Sequence, residues 1–509
     1  MNLILTILQE LSDNFLSLIN LKFLRNKRKM GAETTKHSPL HILFFPFMGH
    51  GHMIPMIDMA KLFASKGVKI TILTTPLNAP VILKTIEKSK THSNINIQTI
   101  KFPSVEVGLP DGCENFDLIP SPESVPLFFK GTELLQEGFE QQLSLLHPNC
   151  VVSDGFFTWT TDSTAKFNIP RIVFYGVSFF STCATECVRL YKPYENVSSD
   201  SESFVIPSLP GEIKMTRTQV ADYIKDVDWL ERLTKFRESE EKSYGVVFNS
   251  FYELEKDYAD YVRKVIGRRA WHIGPLSLCN IDKEQKKYRG KEASIDEHEW
   301  QKWLDTKEPN SVVYVSFGSV VNFPDSILKE IALGLEASGQ SFIWVVRKSK
   351  KDGEEWLPEG FEKRIEGKGL IIRGWAPQVS ILEHEAIGAF MTHCGWNSTL
   401  EGVTAGVPFI TWPVFAEQFY NQRLVVDVLK TGVPVGVKRW CPFVNMDDSI
   451  KWDTVEKTVR KILAKDEEAE ERRKKAKEWS KLSRKAVEEG GSSDLDLDAF
   501  IAEFGSLRG

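Results

Sequence analysis

The sequence predicts an α/β protein made of two open parallel sheets with a cleft between them. Three observations carry this expectation. Short runs of apolar, β-favouring residues alternate along the chain with stretches whose apolar residues fall at helical spacing. The runs are apolar at consecutive positions, as strands covered by helices on both faces are. The alternation halts at a polar segment near residue 280 and then starts again, which divides the chain into two halves of one kind. Its 509 residues allow two to four domains, at about 100–200 residues each.

In chain order, residues 1–29 stand apart. Their apolar positions are broken by Gln9, Glu10, Asp13 and Asn14, and the basic residues come after them. A secretory signal puts the charge first and keeps its apolar core intact; a membrane span takes about 20 apolar residues. Neither requirement is met. An amphipathic helix with a basic end could lie on a membrane surface. Met30-Gly31, however, reads as a start site, so residues 1–29 are read as an extension outside the fold and no membrane contact is expected.

Leu40–Phe47 (LHILFFPF) is the first strand, followed by a Gly/His turn and a helix over Met53–Ser65. Val68–Thr75 and Asn96–Phe102 are further strands, and a helical stretch near 125–146 leads to strands at Cys150–Ser153 and Arg171–Phe174. The pattern fades over 190–245 and returns at Tyr244–Asn249. Residues 278–300 are polar, charged and without period, the composition of a linker. Beyond them come strands at 311–319, 342–347, 370–375, 388–393 and 407–413, a helix at about 325–338, and a charged helical tail over 453–490. Ligands of open sheets bind beyond the carboxyl ends of the strands, so the residues just after each strand are the ones to read for chemistry.

Composition narrows the classes of function. The chain is 42% hydrophobic and 26% charged, near the average for globular proteins. Its 64 Lys+Arg against 69 Asp+Glu give a net charge of −5, so there is no basic field for a nucleic acid to bind. Seven cysteines, at 113, 150, 183, 187, 279, 394 and 441, include no CxxC pair, which removes zinc ribbons and dithiol redox motifs. Cys183 and Cys187 are spaced to share one helix face as small buried residues, and the odd, irregular set suits a reducing compartment.

In the first half, Gly49-His50-Gly51-His52 follows a strand and opens a helix. A dinucleotide fingerprint would need a third glycine, where Met53 and Ile54 stand, and an acidic residue after the next strand, where Leu73-Thr74-Thr75-Pro76 stands. A histidine at such a turn, facing a cleft, is placed to be a general base. It needs a carboxylate to orient it and to stabilise its charged form. Asp154 ends the strand Cys150–Ser153 at the same sheet edge; Asp162 is the competitor, read onto the following helix.

The second half carries Trp375-Ala376-Pro377-Gln378, then His393-Cys394-Gly395-Trp396-Asn397-Ser398-Thr399-Leu400-Glu401-Gly402, then Trp412-Pro413 and Glu417-Gln418. This 44-residue stretch resembles, in length and order, the sugar-nucleotide signature of plant secondary-product glycosyltransferases (family 1). The first-half motif FPFMGHGHMIP is similar to that of the group acting on coumarins, flavonoids and other phenolics. The resemblance runs from Met30 to about Gly490.

The resemblance implies the GT-B arrangement of two facing Rossmann-like domains: an acceptor domain over 30–277, a linker over 278–300, a UDP-sugar domain over 301–470, and a C-terminal helix over 471–509 packing back on the first domain. It implies a uracil stacked on Trp375, with Ala376 and Gln378 at the base and ribose edges. The diphosphate would sit at the helix start near Gly395, with Asn397, Ser398, His393 and Ser319 as donors. Glu401 would accept from the ribose hydroxyls; Glu417, Gln418 and the backbone of Trp396 would read the sugar. A terminal glutamine in the box favours glucose. The histidine before Met-Ile-Pro maps to His52 as the base, leaving His50 as a decoy, and the partner maps to Asp154. Phe156, Phe157, Phe179 and Phe180 are candidate walls of the acceptor pocket. Tyr175, where relatives have histidine, should line or support it.

The implied reaction is an inverting transfer of glucose from UDP-glucose to a hydroxyl of a small hydrophobic acceptor, a coumarin, flavonoid or other phenolic. A triterpenoid or steroid acceptor and a silent UDP-sugar-binding protein are the alternatives. UDP-glucose is a co-substrate, and neither cofactor nor metal is expected. Asp226-Val-Asp228 and Asp494-Leu-Asp496 match the bare DxD of metal-dependent transferases, but neither follows a strand, and both are read as solvated faces. The sequons at Asn196 and Asn397 are read as unmodified. A monomer is expected, cytoplasmic or loosely held at the endoplasmic reticulum surface.

Overall fold

The computed structural model describes residues 39–89, 92–225, 227–348, 356–441 and 446–507. The reading of residues 1–29 and of Met30 therefore lies outside the described residues, as does Asp226 of the first DxD. Leu40–Gly509 forms one compact unit, and its frame is two parallel sheets.

The first sheet contains β1 (His41–Phe45), β2 (Lys69–Thr74), β3 (Ile95–Thr99), β4 (Cys150–Asp154) and β5 (Arg171–Phe174). A two-stranded antiparallel hairpin, β6 (Ser203–Val205) with β7 (Lys214–Thr216), lies apart from it. The first sheet ends with β8 (Gly245–Phe248) and β9 (Ala270–His272), and its spatial order is β3-β2-β1-β4-β5-β8-β9. The second sheet is β10 (Val312–Ser316), β11 (Ser341–Val346), β12 (Gly369–Arg373), β13 (Ile387–Thr392), β14 (Phe409–Thr411) and β15 (Gly432–Pro434), in the order β12-β11-β10-β13-β14-β15. In both, the chain moves outward from the first strand one way and then returns to continue on its other side. That reversal leaves a crevice at the carboxyl ends of β1 and β4, and a second at those of β10 and β13. Strands β1, β4 and β10 are buried along their whole length, which accounts for their unbroken apolar runs.

Several expectations need correction. The helical stretch near 125–146 is two helices, Val125–Glu133 and Gln136–Leu146. The region 190–245 holds the β6–β7 hairpin and a helix over Val227–Glu241; three-residue strands are too short to show a period of two. The segment 278–300 is not a solvated tether. It contains a helix at Lys283–Lys287 and the start of another at Glu297–Asp305, and it buries Asn280, Gln285 and Trp300. Cys183 and Cys187 lie fully buried on the helix Phe179–Tyr191 as expected, and all seven thiols are free.

The tail crosses back over both of its helices. Glu467–Val487 packs on the helix Trp396–Ala405 of the second half and on Tyr252–Lys264 of the first, and Ser492–Ser506 packs on β9. There Leu497, Phe500 and Phe504 join the core of the first sheet. Asp494 pairs with Lys66 at 2.5 Å, and Asp496 with Arg263 at 2.8 Å and with His272. This second DxD is thus a set of ties between the last helix and the first domain, not a solvated face. Among the described residues no helix is long and apolar enough to cross a membrane.

Phe500 is fully buried, with ring centroids 5.0 Å from both Phe63 and Trp271. Phe500→Ala should therefore cost about 3–5 kcal/mol of stability, read as a lower urea midpoint by tryptophan fluorescence.

Candidate active site

The crevice between β1 and β4 brings His52 and Asp154 together. β1 and β4 are parallel neighbours with Phe45 opposite Ser153, so the turn after β1 and the last residue of β4 share one edge. His52 lies in the first turn of the helix His50–Ser65, which has no side-chain cap. Its Nδ1 is 2.7 Å from Asp154 Oδ2. The other oxygen of Asp154 accepts from the backbone N–H of Phe156 at 3.0 Å, and Arg171 donates to its carbonyl oxygen. An anionic carboxylate only accepts, so Nδ1 carries the proton and the Nε2 lone pair is left for chemistry. His52 retains 25% exposure while Asp154 has 1%. Burial pulls the imidazole pKa down, but Asp154, by charge and hydrogen bond, and Glu417, by charge, outweigh it, and the net shift is upward.

His50 is also paired. It is buried, and its Nδ1 meets Asp117. Burial raises the Asp117 pKa, yet His50, Lys291 and Arg347 bring it below the usual carboxylate range. Asp117 sits in the single helical turn Phe116–Leu118, and no spacing in the sequence marks it. Asp162 is exposed on the helix Thr160–Lys166, away from the pair.

The second crevice gathers the signature residues. Ser319 follows β10, and His393 follows β13 with its ring against Gly318 and Gly395, where a Cβ would lie 2.7 Å and 2.4 Å from ring atoms. With no carboxylate beside it, burial pushes the His393 pKa down to about 4. The helix Trp396–Ala405 starts at Gly395 with no side-chain cap, and the N–H of its first residue, Trp396, is met by the Glu417 carboxylate. Ser398 and Glu401 face Gln378, whose Nε2 lies 3.1 Å from Ser398 Oγ and 2.8 Å from Glu401 Oε2. Trp375 lies against Gly290 and is tied to Ser294 through its own N–H at 2.9 Å and its carbonyl at 2.8 Å; Ala376 beside it is buried.

The two crevices face each other. Asn397 donates to the Gly51 carbonyl at 2.6 Å, beside His52, so in this arrangement it reaches the first domain instead of the helix start. The Trp396 indole donates to the Asn249 carbonyl at 2.7 Å, and Asn249 Nδ2 lies 3.5 Å from Asn397 Oδ1. Burial raises the Glu417 pKa against the opposing pulls of Asn421, His52 and the Trp396 backbone. Gln418 is buried, and its Oε1 accepts from the N–H groups of Val414 and Phe415 at 2.8 Å and 3.0 Å. It shapes the loop that presents Glu417.

Of the acceptor-wall candidates, Phe156 is half-buried with its ring 5.0 Å from that of His52. Phe157, Phe179 and Phe180 are fully buried and leave the wall: Phe157 stacks on Phe45, and Phe179 on Phe248. The turn after β4 leaves Phe156 half-buried and Phe157 in the core. Tyr175 packs against Gly155. Its ring fills the space a side chain on Gly155 would need, and its hydroxyl bonds Glu240. Phe47, Phe116 and Phe129 were not singled out from the sequence. Phe47 lies 5.4 Å from His52, and its ring meets those of Phe116, Phe129 and Phe156.

The segment after β9 contributes as well. Arg289 donates to Asp58 at 2.6 Å and to Glu401 at 2.5 Å. Among the described residues no group of three or more His, Cys, Asp or Glu is placed to hold a metal ion.

A family model described as UDP-glucoronosyl and UDP-glucosyl transferase matches residues 207–439. The chain is 58% identical over 469 residues to the scopoletin glucosyltransferase of Nicotiana tabacum, covering 91% of this chain and 98% of that one. It is 55% identical over 485 residues to UDP-glucose flavonoid 3-O-glucosyltransferase 7 of Fragaria ananassa, covering 94% and 99%. Among solved structures, it is similar to Glycyrrhiza uralensis UGT73P12 complexed with glycyrrhetinic acid 3-O-monoglucuronide, at 40% identity, 92% and 96% coverage and a TM-score of 0.87. It is also similar to Medicago truncatula UGT71G1 complexed with UDP-glucose, at 26% identity, 92% and 99% coverage and a TM-score of 0.74.

The raised His52 pKa depends on a carboxylate that can be removed without changing shape. In an NMR titration the His52 ring should titrate above the ordinary value of about 6.5. Asp154→Asn should bring the midpoint down, because the amide leaves burial opposed only by Glu417.

Proposed function

Because the chain belongs to the UDP-glucoronosyl and UDP-glucosyl transferase family, as a plant family 1 UDP-glycosyltransferase, we propose that it moves glucose from UDP-glucose to a hydroxyl of a small phenolic and inverts the anomeric carbon. The observation that carries the reading is the His52–Asp154 pair directly across the cleft from Glu417 at the end of the signature.

In this mechanism the acceptor hydroxyl lies against His52 Nε2. The imidazole takes its proton while the oxygen forms a bond to C1 of the α-linked glucose. The bond from C1 to the phosphate oxygen breaks, UDP leaves with the electron pair, and a β-glucoside results. The imidazolium, stabilised by Asp154, later releases its proton to water. A phenol has a pKa near 10, as tyrosine does, so an imidazole of raised basicity narrows the gap the proton must cross. The half-buried ring of Phe156 beside His52 suits a planar aromatic acceptor.

On the donor side, a neutral His393 can donate to a phosphate oxygen, and the helix start beside it meets the charge that builds on the leaving group. With these donors the reaction needs no metal. The same reading has a monomer at work in the cytoplasm, where seven free thiols are at home.

A second acceptor class has one observation in its favour. The Glycyrrhiza uralensis structure with a TM-score of 0.87 is complexed with glycyrrhetinic acid 3-O-monoglucuronide, which keeps a triterpenoid acceptor in the test.

The test is turnover of UDP-glucose with coumarins, flavonols, phenolic acids and triterpenoids, in EDTA. β-Glucoside should form with phenolics, and His52→Ala should lower kcat by about 10²–10⁴. The wild-type kcat/KM should fall as pH drops through the His52 pKa, because protonation removes the base. Full activity in His52→Ala, or loss of activity in EDTA, would overturn the mechanism.

A further inference from the structure

Arg289 belongs to a segment whose composition suggests a tether, yet its side chain is only 9% exposed and its guanidinium grips two carboxylates from different halves of the molecule. Nε donates to Oδ2 of Asp58, which is fully buried on the helix His50–Ser65. A terminal nitrogen donates to Oε1 of Glu401, whose other oxygen takes the amide of Gln378. Asn280 secures Asp58 from the far side at 2.8 Å and itself accepts from Lys61. Gly290, the next residue, lies against the Trp375 ring; a Cβ there would fall 2.7 Å from it.

We propose that Arg289 is a positioning residue of the donor site, which fixes the Glu401 carboxylate for the ribose hydroxyls of the nucleotide and anchors that carboxylate to the first domain through Asp58. The proposal rests on the donor-site reading above. A carboxylate offers about four acceptor positions. Arg289 and Gln378 take one on each oxygen, which leaves one on each for two neighbouring hydroxyls. Without Arg289 the Glu401 side chain is held on one oxygen alone, and two hydroxyls would have to order it on binding. The planar fork of arginine is required because the two carboxylates are met by different nitrogens of one rigid group.

The test is calorimetric binding of UDP and of 2′-deoxy-UDP to the full chain, alongside KM and kcat with UDP-glucose. The variants are Arg289→Lys and the charge-matched Asp58→Asn/Arg289→Gln. A hydrogen bond to a charged group makes the wild type favour UDP by about tenfold or more. In the double variant this preference should fall to about threefold or less, with 2′-deoxy-UDP binding within about twofold of wild type. KM should rise while kcat holds. Arg289→Lys, which keeps the charge and loses the fork, should show an intermediate preference and decides the matter should the double variant not fold. Equal weakening of both nucleotides, or an undiminished preference, would overturn the proposal. A wild type that binds no UDP would overturn the donor-site reading itself.

Discussion

A carboxylate withdrawn from water at the end of one strand and an imidazole at the start of the helix beyond its neighbour set the terms for the rest of the molecule. Asp154 is buried at 1% exposure, and a buried charge is tolerable only when its oxygens are met. The Phe156 N–H takes one oxygen and His52 the other, while Arg171, itself buried and hydrogen-bonded to Ser153, Thr161 and Ser239, braces the backbone behind. Nothing in this arrangement can slide. If β1 and β4 were not adjacent, with their carboxyl ends level, the pair could not form, so the strand order of the first sheet is a requirement of the chemistry.

The second sheet applies the same geometry to a different task. Its reversal between β10 and β13 opens the place where Gly318, Gly395 and the start of a helix converge, with glycines that make room for the His393 ring. Neither half is complete alone. Glu417 contributes to the basicity of His52 across the cleft, Asn397 touches Gly51, and Trp396 is seated on Asn249. A single apolar cluster runs from Phe179 and Phe248 of the first half into the core of the second, which holds the two crevices in register.

The sequence made legible what lies on regular elements or in one continuous motif. Strand runs, the helix Asp325–Ser338, His52, Asp154 and the signature box are all of this kind, because period and local spacing report which residues share an edge. What it hid depends on chain segments meeting from far apart. Asp117 reaches His50 from a single helical turn, Asn249 meets Trp396 over 147 positions, and Arg289 finds Glu401 over 112. Charged residues without period look like a solvated linker until their partners are known, and Arg289 is charged because both its partners are. The same holds for Asp494 and Asp496, whose cations lie on the first domain. Phe156 and Phe157 are indistinguishable by type; only the direction of the chain after β4 separates wall from core.

His52 and His393 show what such placement accomplishes. Each follows the strand at a reversal point, and each stands beside the start of a helix. An imidazole in both places would titrate alike in water. Beside Asp154 and within the field of Glu417, burial is outweighed and His52 becomes a stronger base. Against Gly318 and Gly395, with no carboxylate near, burial acts unopposed and His393 stays neutral. In the proposed mechanism a neutral ring next to the diphosphate donates without first having to lose or gain a proton, whereas a basic ring next to the acceptor hydroxyl can accept one. Under that mechanism the presence or absence of one aspartate thus divides proton acceptance from leaving-group stabilisation between two residues of the same type, and the cleft between the sheets keeps the two roles apart.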